Sequence, residues 1–363
     1  MSKVAQIIYA GLGGHGSVAF SLIDSDVNKE WTPIMGCYGI EPMTPAYVDL
    51  CISRQIPYAY FGVKPKRTWM AWPKIFLWLR ENAPDAIILH TISALFPCKL
   101  YSALQGIPLI VVEHQPNALK RPSEWMFSHL AMYLASNIVV LTADYMGELR
   151  DKLGSKYVSE KVSIIPNGIN TSKFRPKKIL AQNTGKVIVG MAARFTATKR
   201  QDVLIEAIKE LKSRCPNTDW RLTLAGDGET LSSIKKKVRS LGLYDSIEFA
   251  GNLGEDALCH WFSELDFYLQ ASEGETLSTA ILQAMSCGKP IVASDVPGIR
   301  NLLCSQNNCG ITVAGQEGSG FAEAIIKLTN NPGLSCAIGK SGRRVVEEKY
   351  SQQQMFVKYK ELL

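Results

Sequence analysis

The sequence predicts an α/β protein made of two doubly wound, parallel-sheet domains. Its 363 residues are too many for a single hydrophobic core and suit two domains. Short apolar runs alternate with helical patterns along the chain, and this alternation is typical of parallel sheets covered by helices. In open α/β sheets, ligands bind at the carboxyl ends of the strands. The residues that follow each predicted strand are therefore the candidates for function.

The composition is that of a soluble globular protein, with 46% hydrophobic and 20% charged residues and a net charge of +7. No window approaches the roughly 20 apolar residues of a membrane span, and the chain enters its first strand without a signal peptide. Nine cysteines contain no C-x-x-C pair, which favours reduced thiols over a zinc site. We expect a cytoplasmic protein without a bound metal.

Strands are expected in the first half at Val4–Ala10, Thr32–Cys37, Ala86–His90, Pro108–Glu113 and Asn137–Leu141. The first is followed by Gly11-Leu12-Gly13-Gly14-His15-Gly16 and a helix from about Ser17. Glycines let a backbone approach a phosphate or a sugar at a helix N-terminus. The pattern matches the G-x-G-x-x-G loop of dinucleotide-binding proteins, which also requires an acid at the end of the second strand. That strand ends in Tyr38-Gly39, and Glu41 lies too far along, so NAD or NADP binding remains a weak alternative.

Two histidines end predicted strands. His114 follows Glu113, and His90 ends the preceding strand. A polar side chain at the carboxyl end of a core strand projects into the ligand crevice. His114 and His90 are therefore competing candidates for a ligand contact, the alternative for each being a histidine satisfied by neighbouring backbone groups.

One window combines basic and aromatic residues. Cys51–Arg80 contains no acid, and its basic side chains interleave with Trp69, Trp72, Phe76 and Trp78. Such a segment suits an anionic membrane surface, although nucleic acid or a helix with buried Trp and solvated Lys would give the same pattern. We predict peripheral membrane contact through residues 54–80 and no nucleic-acid partner. The six basic residues are Arg54, Lys64, Lys66, Arg67, Lys74 and Arg80.

The second half begins after the turn Pro166-Asn167-Gly168 and a polar segment, Arg175–Lys186, which is the predicted linker. A strand at Lys186–Ala193 is followed by Arg194 and Lys199. Two cations beyond a strand end can neutralise a diphosphate, Arg by forked hydrogen bonds and Lys as a point charge. The alternative is a pair of surface cations before a helix.

The most informative stretch is Ser272–Gly288, SEGETLSTAILQAMSCG. Glu273 and Glu275 precede Thr276, Leu277 and Ser278, and an apolar helical run then ends at Gly288. Hydroxyl residues suit a helix N-terminus, which binds phosphate without a metal. The alternative is an ordinary capped helix with solvated acids.

This stretch resembles the signature of family 4 retaining glycosyltransferases with the GT-B fold, which is a Glu, seven intervening residues and then Glu-Ala-Met. Anchored on Ala284-Met285, the first acid is Glu275 and the second position holds Gln283. Glutamine can hydrogen-bond a diol but forms no charge-assisted bond. Glu273 is the reserve for the first acid. The glycine loop, the strand-end histidine, the P-N-G turn, the R-x-x-x-x-K spacing and Gly226-Asp227-Gly228 also resemble the family, in its order.

The resemblance implies two Rossmann-like domains facing a central cleft, at residues 1–170 and 171–349, with a C-terminal helix at about 350–363 packed back on the first. It implies transfer of a hexose or N-acetylhexosamine from a nucleoside diphosphate sugar, with retention and without a metal or cofactor. Glu275 and His114 would orient the sugar, and Gln283 would hold the ribose. Arg194, Lys199 and the helix N-terminus would hold the diphosphate, with Gly13, Gly14, Glu273, Thr276, Leu277 and Ser278 lining the donor site.

For the acceptor we expect a glycan, in particular a lipid-linked glycan of bacterial surface polysaccharide or lipopolysaccharide synthesis at the inner face of the plasma membrane. Two alternatives remain open. They are an NAD(P)-dependent oxidoreductase that uses Gly11–Gly16, and a non-catalytic nucleotide-sugar-binding protein.

Overall fold

The computed structural model describes residues 1–11, 14–65, 67–115, 117, 120–177, 185–303, 308–315 and 317–363. These residues form two compact units. The N-terminal unit comprises Met1–Gly168 together with Gln352–Leu363, and the C-terminal unit comprises Ile169–Ser351. The predicted glycine loop residue Gly13, the basic residue Lys66 and most of the predicted linker lie outside the described residues.

The described part of the N-terminal unit forms a seven-stranded, entirely parallel sheet in the order β3-β2-β1-β4-β5-β6-β7. Apolar side chains from the central strands are buried against helices on both faces, as expected for a doubly wound sheet. Its strands are β1 (Ser2–Tyr9), β2 (Trp31–Gly39), β3 (Tyr58–Gly62), β4 (Ala86–Leu89), β5 (Leu109–Glu113), β6 (Asn137–Val140) and β7 (Val162–Ile164), and its first helices are α1 (Gly14–Asp24), α2 (Pro45–Ser53), α3 (Trp72–Asn82), α4 (Leu95–Gln105), α5 (Pro122–Leu134) and α6 (Ala143–Leu153).

The described part of the C-terminal unit forms a second parallel sheet, of six strands, in the order β10-β9-β8-β11-β12-β13. Its strands are β8 (Lys186–Ala192), β9 (Asp219–Ala225), β10 (Ile247–Gly251), β11 (Phe267–Gln270), β12 (Ile291–Ser294) and β13 (Gly310–Val313). Its helices are α7 (Gln201–Arg214), α8 (Leu231–Ser240), α9 (Glu255–Glu264), α10 (Thr279–Ser286), α11 (Pro297–Leu303), α12 (Gly318–Thr329) and α13 (Pro332–Lys349). The prediction of two parallel-sheet, Rossmann-like domains is confirmed.

The last helix, α14 (Gln352–Lys360), belongs to the N-terminal unit. Met355, Phe356 and Tyr359 are buried there, and the Phe356 ring lies 4.6 Å from that of Trp31 at the start of β2. A close backbone approach fixes this helix, because a Cβ on Gly168 would lie 2.6 Å from the Cα of Gln352. Apolar burial of this kind is what holds a terminal helix in place.

The basic, aromatic window is not one amphipathic segment. It contains β3, which pairs with β2, then a short 3-10 turn at Thr68–Ala71, and only then α3. Trp78 packs edge-on against Phe61 of β3 at 5.7 Å, whereas Trp69 is 60% exposed. The window therefore divides its aromatic residues between the core and the surface. In the part of the chain that the structure describes, no helix has the length and apolar content to cross a bilayer.

Candidate functional site: two polar clusters at strand ends

The polar cluster of the C-terminal unit lies where its strand order reverses. β8 has β9 on one side and β11 on the other, and the loops after these three strands meet at the carboxyl edge. Such switch points are where open α/β sheets bind ligands. The loops contain Arg194–Lys199 after β8, Gly226–Gly228 after β9 and Ser272–Ser278 after β11.

Lys199 and Glu275, both predicted site residues, are in direct contact. The Lys199 ammonium reaches Oε1 of Glu275, with the two side chains 24% and 10% exposed. The same Oε1 accepts a 3.0 Å hydrogen bond from Nε2 of Gln270, which ends β11. The Oε1 of Gln270 in turn lies 2.8 Å from the Tyr268 hydroxyl. Burial raises the pKa of Tyr268 far above its ordinary value, so the hydroxyl stays protonated and can donate.

The acidic loop is fixed to its neighbours by backbone hydrogen bonds. The Glu273 N–H donates to the Thr198 carbonyl at 2.9 Å, and the Ser272 N–H donates to Oγ of Ser294 at 3.0 Å. On its other side, the loop touches the start of α11, where a Cβ on Gly298 would lie 2.1 Å from the Glu275 carbonyl oxygen. The segments that follow β8, β11 and β12 therefore contact one another here and fix the position of the Glu275 backbone.

The two candidate acids have different surroundings. Glu273 is 47% exposed and lies 3.5 Å from Arg200, which also forms a forked pair with Asp202. Arg200 has a positive φ of 22° at the start of α7, an unfavourable conformation for a residue with a Cβ. Glu275 is mostly buried and contacts the side chains of Lys199 and Gln270. These surroundings favour Glu275 over Glu273 as the ligand-binding acid.

Helix α10 begins as its sequence predicts. Oγ of Ser278 accepts a hydrogen bond from the Ile281 N–H, so Ser278 is the N-cap. Thr276, Leu277 and Ser278 are buried, and Gln283 is 9% exposed one turn into the helix. The helix ends where Gly288 adopts a φ of 71°, as glycine permits. Thr276, Leu277 and Ser278 therefore lie together at the N-terminal end of α10, with Gln283 one turn further along. The role of these four residues in donor binding stays a prediction.

The glycine turn after β9 packs on the loop that carries Arg194. Gly226 and Gly228 have φ values of 132° and 153°, and a Cβ on them would lie 2.1 Å from the Ala193 carbonyl oxygen and 2.3 Å from that of Phe195. Only glycine suits both the conformation and the close approach. The Gly-Asp-Gly sequence therefore sets the path of the backbone on both sides of Arg194, which is half-buried.

In the N-terminal unit, His90 and His114 form one cluster. Nδ1 of His90 lies 2.9 Å from Nε2 of His114, and Nε2 of His90 lies 2.8 Å from Oε1 of Gln6, a buried residue of β1. Gln6 lies on β1, His90 directly follows β4 and His114 directly follows β5. These three strands are neighbours in the sheet at its own reversal of strand order. The two histidines were predicted as competing candidates, but in the structure they are hydrogen-bonded to each other.

Both histidines are held neutral. Burial, together with a smaller contribution from the nearby His15, lowers the pKa of His90 to about 3. Burial also lowers the pKa of His114 well below its ordinary value, with His90 and His15 adding to the effect. A neutral imidazole can accept or donate a hydrogen bond to a sugar hydroxyl, so the cluster suits an uncharged polar ligand.

The glycine loop of the N-terminal unit is described only in part. Gly14 is the first residue of α1. A Cβ on Gly11 would lie 2.0 Å from Oε2 of Glu41, so this carboxylate lies beside the loop although it follows β2 by two residues. Glu41 was set aside in the sequence because it lies too far along the chain to fit the dinucleotide fingerprint well, but its carboxylate is close to Gly11 in space. The tyrosines at this edge include Tyr60, whose hydroxyl donates to the Glu41 carbonyl at 2.9 Å.

Next to His114 lies a buried ion pair that the sequence analysis missed. Nζ of Lys120 lies 3.0 Å from Oε2 of Glu113, and the two side chains are 2% and 6% exposed. Ser128 donates to the other carboxylate oxygen at 2.7 Å, and the Tyr145 hydroxyl lies 3.2 Å from Oε2. A buried carboxylate with one cation and two hydroxyl donors has its hydrogen-bonding capacity satisfied, so we assign this network to structure.

Over the described ranges, no group of three or more His, Cys, Asp or Glu side chains could hold a metal ion. The charged groups at the strand ends are instead paired cations and carboxylates. Sequence reasoning identified Lys199 and Glu275 but missed Tyr268, Gln270, Arg200 and Gly298. Only the glutamine at the end of a fully buried strand, F-Y-L-Q, gave a signal that could have identified one of them.

Two Rossmann-like units, with a basic loop and an acid-bearing helix start at the edge of the second sheet, define a protein of the GT-B class. A family model described as Glycosyltransferase Family 4 matches residues 12–173, and one described as Glycosyl transferases group 1 matches residues 172–345. The chain belongs to the family 4 glycosyltransferases with the GT-B fold, and the predicted resemblance is confirmed.

Several known proteins are similar. A D-inositol 3-phosphate glycosyltransferase of Frankia alni is 26% identical over 212 residues, which are 54% of this chain and 51% of that protein. An alpha-monoglucosyldiacylglycerol synthase of Streptococcus pneumoniae is 23% identical over 311 residues, 80% of this chain and 66% of that protein. The chain thus spans about half to two thirds of these relatives. The crystal structure of Anabaena HepE with UDP and glucose has a TM-score of 0.81 at 17% identity and covers 99% of both chains, which shows the shared fold.

Proposed function

We propose that this protein transfers a hexose or N-acetylhexosamine from a nucleoside diphosphate sugar to a hydroxyl of a glycan acceptor. The observation that carries the proposal is the contact between Lys199 and Glu275 at the switch point of the second sheet. A cation for the diphosphate and a carboxylate for the sugar hydroxyls lie within one side-chain contact of each other. The Anabaena neighbour holds UDP and glucose, and UDP-glucose in another crystal, which supports a nucleotide sugar as the donor.

The residues present suggest how the leaving group is stabilised. Arg194, Lys199 and the N–H groups at the start of α10 would neutralise the charge that develops on the diphosphate. The proposal includes retention of anomeric configuration and no requirement for a metal. Proton NMR of the product's anomeric signal would test the first, and turnover in excess chelator would test the second. An inverted product or a strict need for a divalent cation would contradict these two parts.

The donor is identified by a ligand panel on the purified protein. UDP-, GDP-, ADP- and dTDP-sugars are compared with NAD and NADP by thermal shift and saturation-transfer NMR, with chelator present. We expect stabilisation by one nucleotide sugar. NAD belongs in the panel because the Glu41 carboxylate lies beside Gly11, where a dinucleotide-binding fold has its ribose-binding acid. Stabilisation by NAD alone would overturn the proposal.

Turnover distinguishes an enzyme from a nucleotide-sugar-binding protein. Glu275→Gln should reduce the transfer rate at least tenfold, because it removes the charge at the proposed sugar contact. Glu273→Gln is the matched control, since Glu273 is two residues away and 47% exposed. Equal rates for both variants and the unaltered protein would contradict the role of Glu275.

For the acceptor we propose a lipid-linked glycan at an anionic membrane, as in lipopolysaccharide or other surface polysaccharide synthesis. The exposed apolar side chains support this. On α4, Phe96, Leu100 and Leu104 are 37%, 55% and 64% exposed and, at four-residue spacing, lie on one helix face. The Trp72 ring of α3 lies 5.1 Å from that of Phe96, so the α3 and α4 surfaces are continuous. The alpha-monoglucosyldiacylglycerol synthase, named for a lipid product, is consistent with this acceptor class.

The N-terminal and C-terminal units differ in how many large hydrophobic side chains they expose. Within the described residues, the large hydrophobic side chains exposed in the C-terminal unit are Tyr244 and Leu334. The α3–α4 surface carries several and is flanked by the exposed cations Lys64, Arg67 and Lys74. Arg54, by contrast, is paired with Asp24 through two 2.6 Å hydrogen bonds. We therefore propose α3 and α4 as the membrane-facing surface within and beside the predicted window 54–80.

Co-sedimentation with vesicles of phosphatidylglycerol and phosphatidylcholine tests this surface. The double variant Leu100→Glu/Leu104→Glu should bind at least tenfold more weakly, and reversing Lys64, Arg67 and Lys74 should act similarly, since each basic group contributes about 1 kcal/mol near an anionic surface. Val27→Glu is the matched control, because Val27 is 77% exposed outside this surface. Unchanged binding of both multiple variants would refute membrane contact there.

A further inference from the structure

A buried hydrogen-bonded chain lies beneath Glu275. Tyr268 and Gln270 are two residues apart on β11, so their side chains lie on the same face of the sheet, and they are 0% and 1% exposed. The Tyr268 hydroxyl lies 2.8 Å from Oε1 of Gln270 and 3.2 Å from the Ala192 carbonyl oxygen. Nε2 of Gln270 donates to Glu275 at 3.0 Å. This series of hydrogen bonds therefore leads from the interior of the sheet to the carboxylate of Glu275.

The chemistry of these groups fixes the direction of the chain. An ionised carboxylate only accepts hydrogen bonds, so the Gln270 amide must present its NH₂ group to Glu275. A flipped amide would place its oxygen against a carboxylate oxygen. The Gln270 oxygen then faces Tyr268, whose single hydroxyl proton it accepts at the shorter of the two distances. The order of donation is Tyr268 to Gln270 to Glu275.

Among the described residues, the Glu275 side chain has two hydrogen-bonding partners. Both of them contact the same carboxylate oxygen. The Lys199 ammonium and the Gln270 amide converge on Oε1. Under the proposed function, Lys199 is drawn to the donor diphosphate, and its contact with Glu275 is then weakened or lost. Gln270 is the partner that remains, because a buried, tethered amide cannot follow the ligand.

We propose that Gln270, aligned by Tyr268, is the positioning residue that keeps Glu275 directed at the donor sugar after Lys199 has engaged the diphosphate. This inference rests on the proposed function and deepens it. Gln270 acts through Glu275 and touches no reacting atom itself. Removing the Gln270 amide should therefore lower the rate of sugar transfer. The affinity for the nucleoside diphosphate should stay unchanged.

The test compares binding of a nucleoside diphosphate with binding and turnover of the matching nucleotide sugar. Gln270→Leu is close in volume and leaves no buried amide unpaired. We expect it to lower kcat at least tenfold while the Kd of the nucleoside diphosphate changes less than twofold. Tyr268→Phe, which removes only the hydroxyl, should act in the same direction more weakly. The double variant should be no worse than Gln270→Leu alone, because the two residues form one chain.

A second substitution separates positioning from packing. Gln270→Glu places two carboxyl groups within hydrogen-bonding distance, where they repel unless they share a proton. A shared proton restores a donor to Glu275, so the kcat of this variant should recover as pH falls relative to the unaltered protein. Gln270→Leu should show no such recovery. A purely structural role would give the same pH profile for both.

The outcomes can be told apart. If the unaltered protein binds no nucleotide sugar in the ligand panel, the proposed function fails and the inference fails with it. If it binds and turns over donor, but Gln270→Leu and Tyr268→Phe both retain its kcat, the positioning role alone is refuted. If nucleoside diphosphate affinity falls as much as kcat, Gln270 supports the loop as a whole, and the inference is also overturned.

Discussion

Gly298→Ala should displace Glu275 while leaving the fold in place. A Cβ at this position would lie 2.1 Å from the Glu275 carbonyl oxygen and 2.5 Å from that of Thr276. Real carbon–oxygen contacts are longer, so the loop must retreat by roughly 1 Å. Because a misplacement of about 1 Å can cost ~100-fold in rate, we expect kcat to fall by between ten- and a hundredfold.

The expected stability change follows from two opposed effects. Forcing a methyl group into a closed space costs about 1–3 kcal/mol, whereas replacing glycine by alanine in a helix gains about 0.5–1 kcal/mol. The net loss is about 0.5–2 kcal/mol. At roughly 2–4 °C per kcal/mol for a domain of this size class, Tm should fall by about 1–8 °C. Circular dichroism melts and initial-rate assays measure the two quantities.

The chain offers a matched control in Gly333→Ala. Gly333 follows Pro332 at the start of α13 as Gly298 follows Pro297 at the start of α11, and a Cβ there would meet nothing within 4 Å. This variant should be slightly stabilised and fully active. If Gly298→Ala behaves like Gly333→Ala in both assays, the Glu275 backbone is not held against α11 and the reasoning is refuted.

Three further predictions concern the N-terminal unit. His90 and His114 have folded-state pKa values below the ordinary 6.5, so the stability that depends on them should be fully present above that pH and should be lost as pH falls below it. For His90 the loss should be about 1.4 kcal/mol per pH unit until its folded-state pKa of about 3 is reached. A flat profile of unfolding free energy in urea melts below pH 6.5 would contradict this prediction. Lys120→Met should cost about 3–5 kcal/mol because it leaves the buried Glu113 without its cation, and adding Glu113→Gln should recover part of the loss in the same melts. Deleting residues 352–363 should destabilise this unit by at least about 3 kcal/mol through the loss of buried aromatic side chains; an unchanged melt would show that the helix contributes little.

Much of the fold could be predicted because strand ends and glycine turns are local signals. The predicted strand at Asn137–Leu141 and the observed β6 at Asn137–Val140 differ by one residue. β3 was missed because Tyr58–Gly62 lies inside a basic, aromatic window that was interpreted as one segment. Its strand conformation comes from pairing with β2, a tertiary contact that outweighs local pattern.

The site was predictable only where residue type and strand end coincide. Lys199 and Glu275 were found for that reason, and their roles stay predictions. Gln270 could not be assigned, because its contact with Glu275 depends on how the loop folds back over five residues. His90 and His114 were treated as competitors because the sequence does not state that β4 and β5 are neighbours.

The contact between Lys199 and Glu275 leads to a prediction in which binding and turnover change in opposite directions. In this structure the cation proposed for the diphosphate is neutralised by the acid proposed for the sugar. Donor binding must therefore exchange one anionic partner of Lys199 for another. Glu275→Gln removes the competing charge and should tighten nucleoside diphosphate binding, by up to about 1 kcal/mol or fivefold for a partly exposed pair.

The same variant should lose at least tenfold in kcat, because the sugar contact is weakened. Isothermal titration with the nucleoside diphosphate and initial-rate assays with the sugar donor measure the two effects. Glu273→Gln should change both quantities less than twofold, since Glu273 is paired with Arg200 and not with Lys199. Weaker diphosphate binding by Glu275→Gln would mean that the carboxylate orients Lys199 toward the diphosphate rather than competing for it. The exchange of partners on donor binding, on which the positioning role of Gln270 depends, would then be wrong.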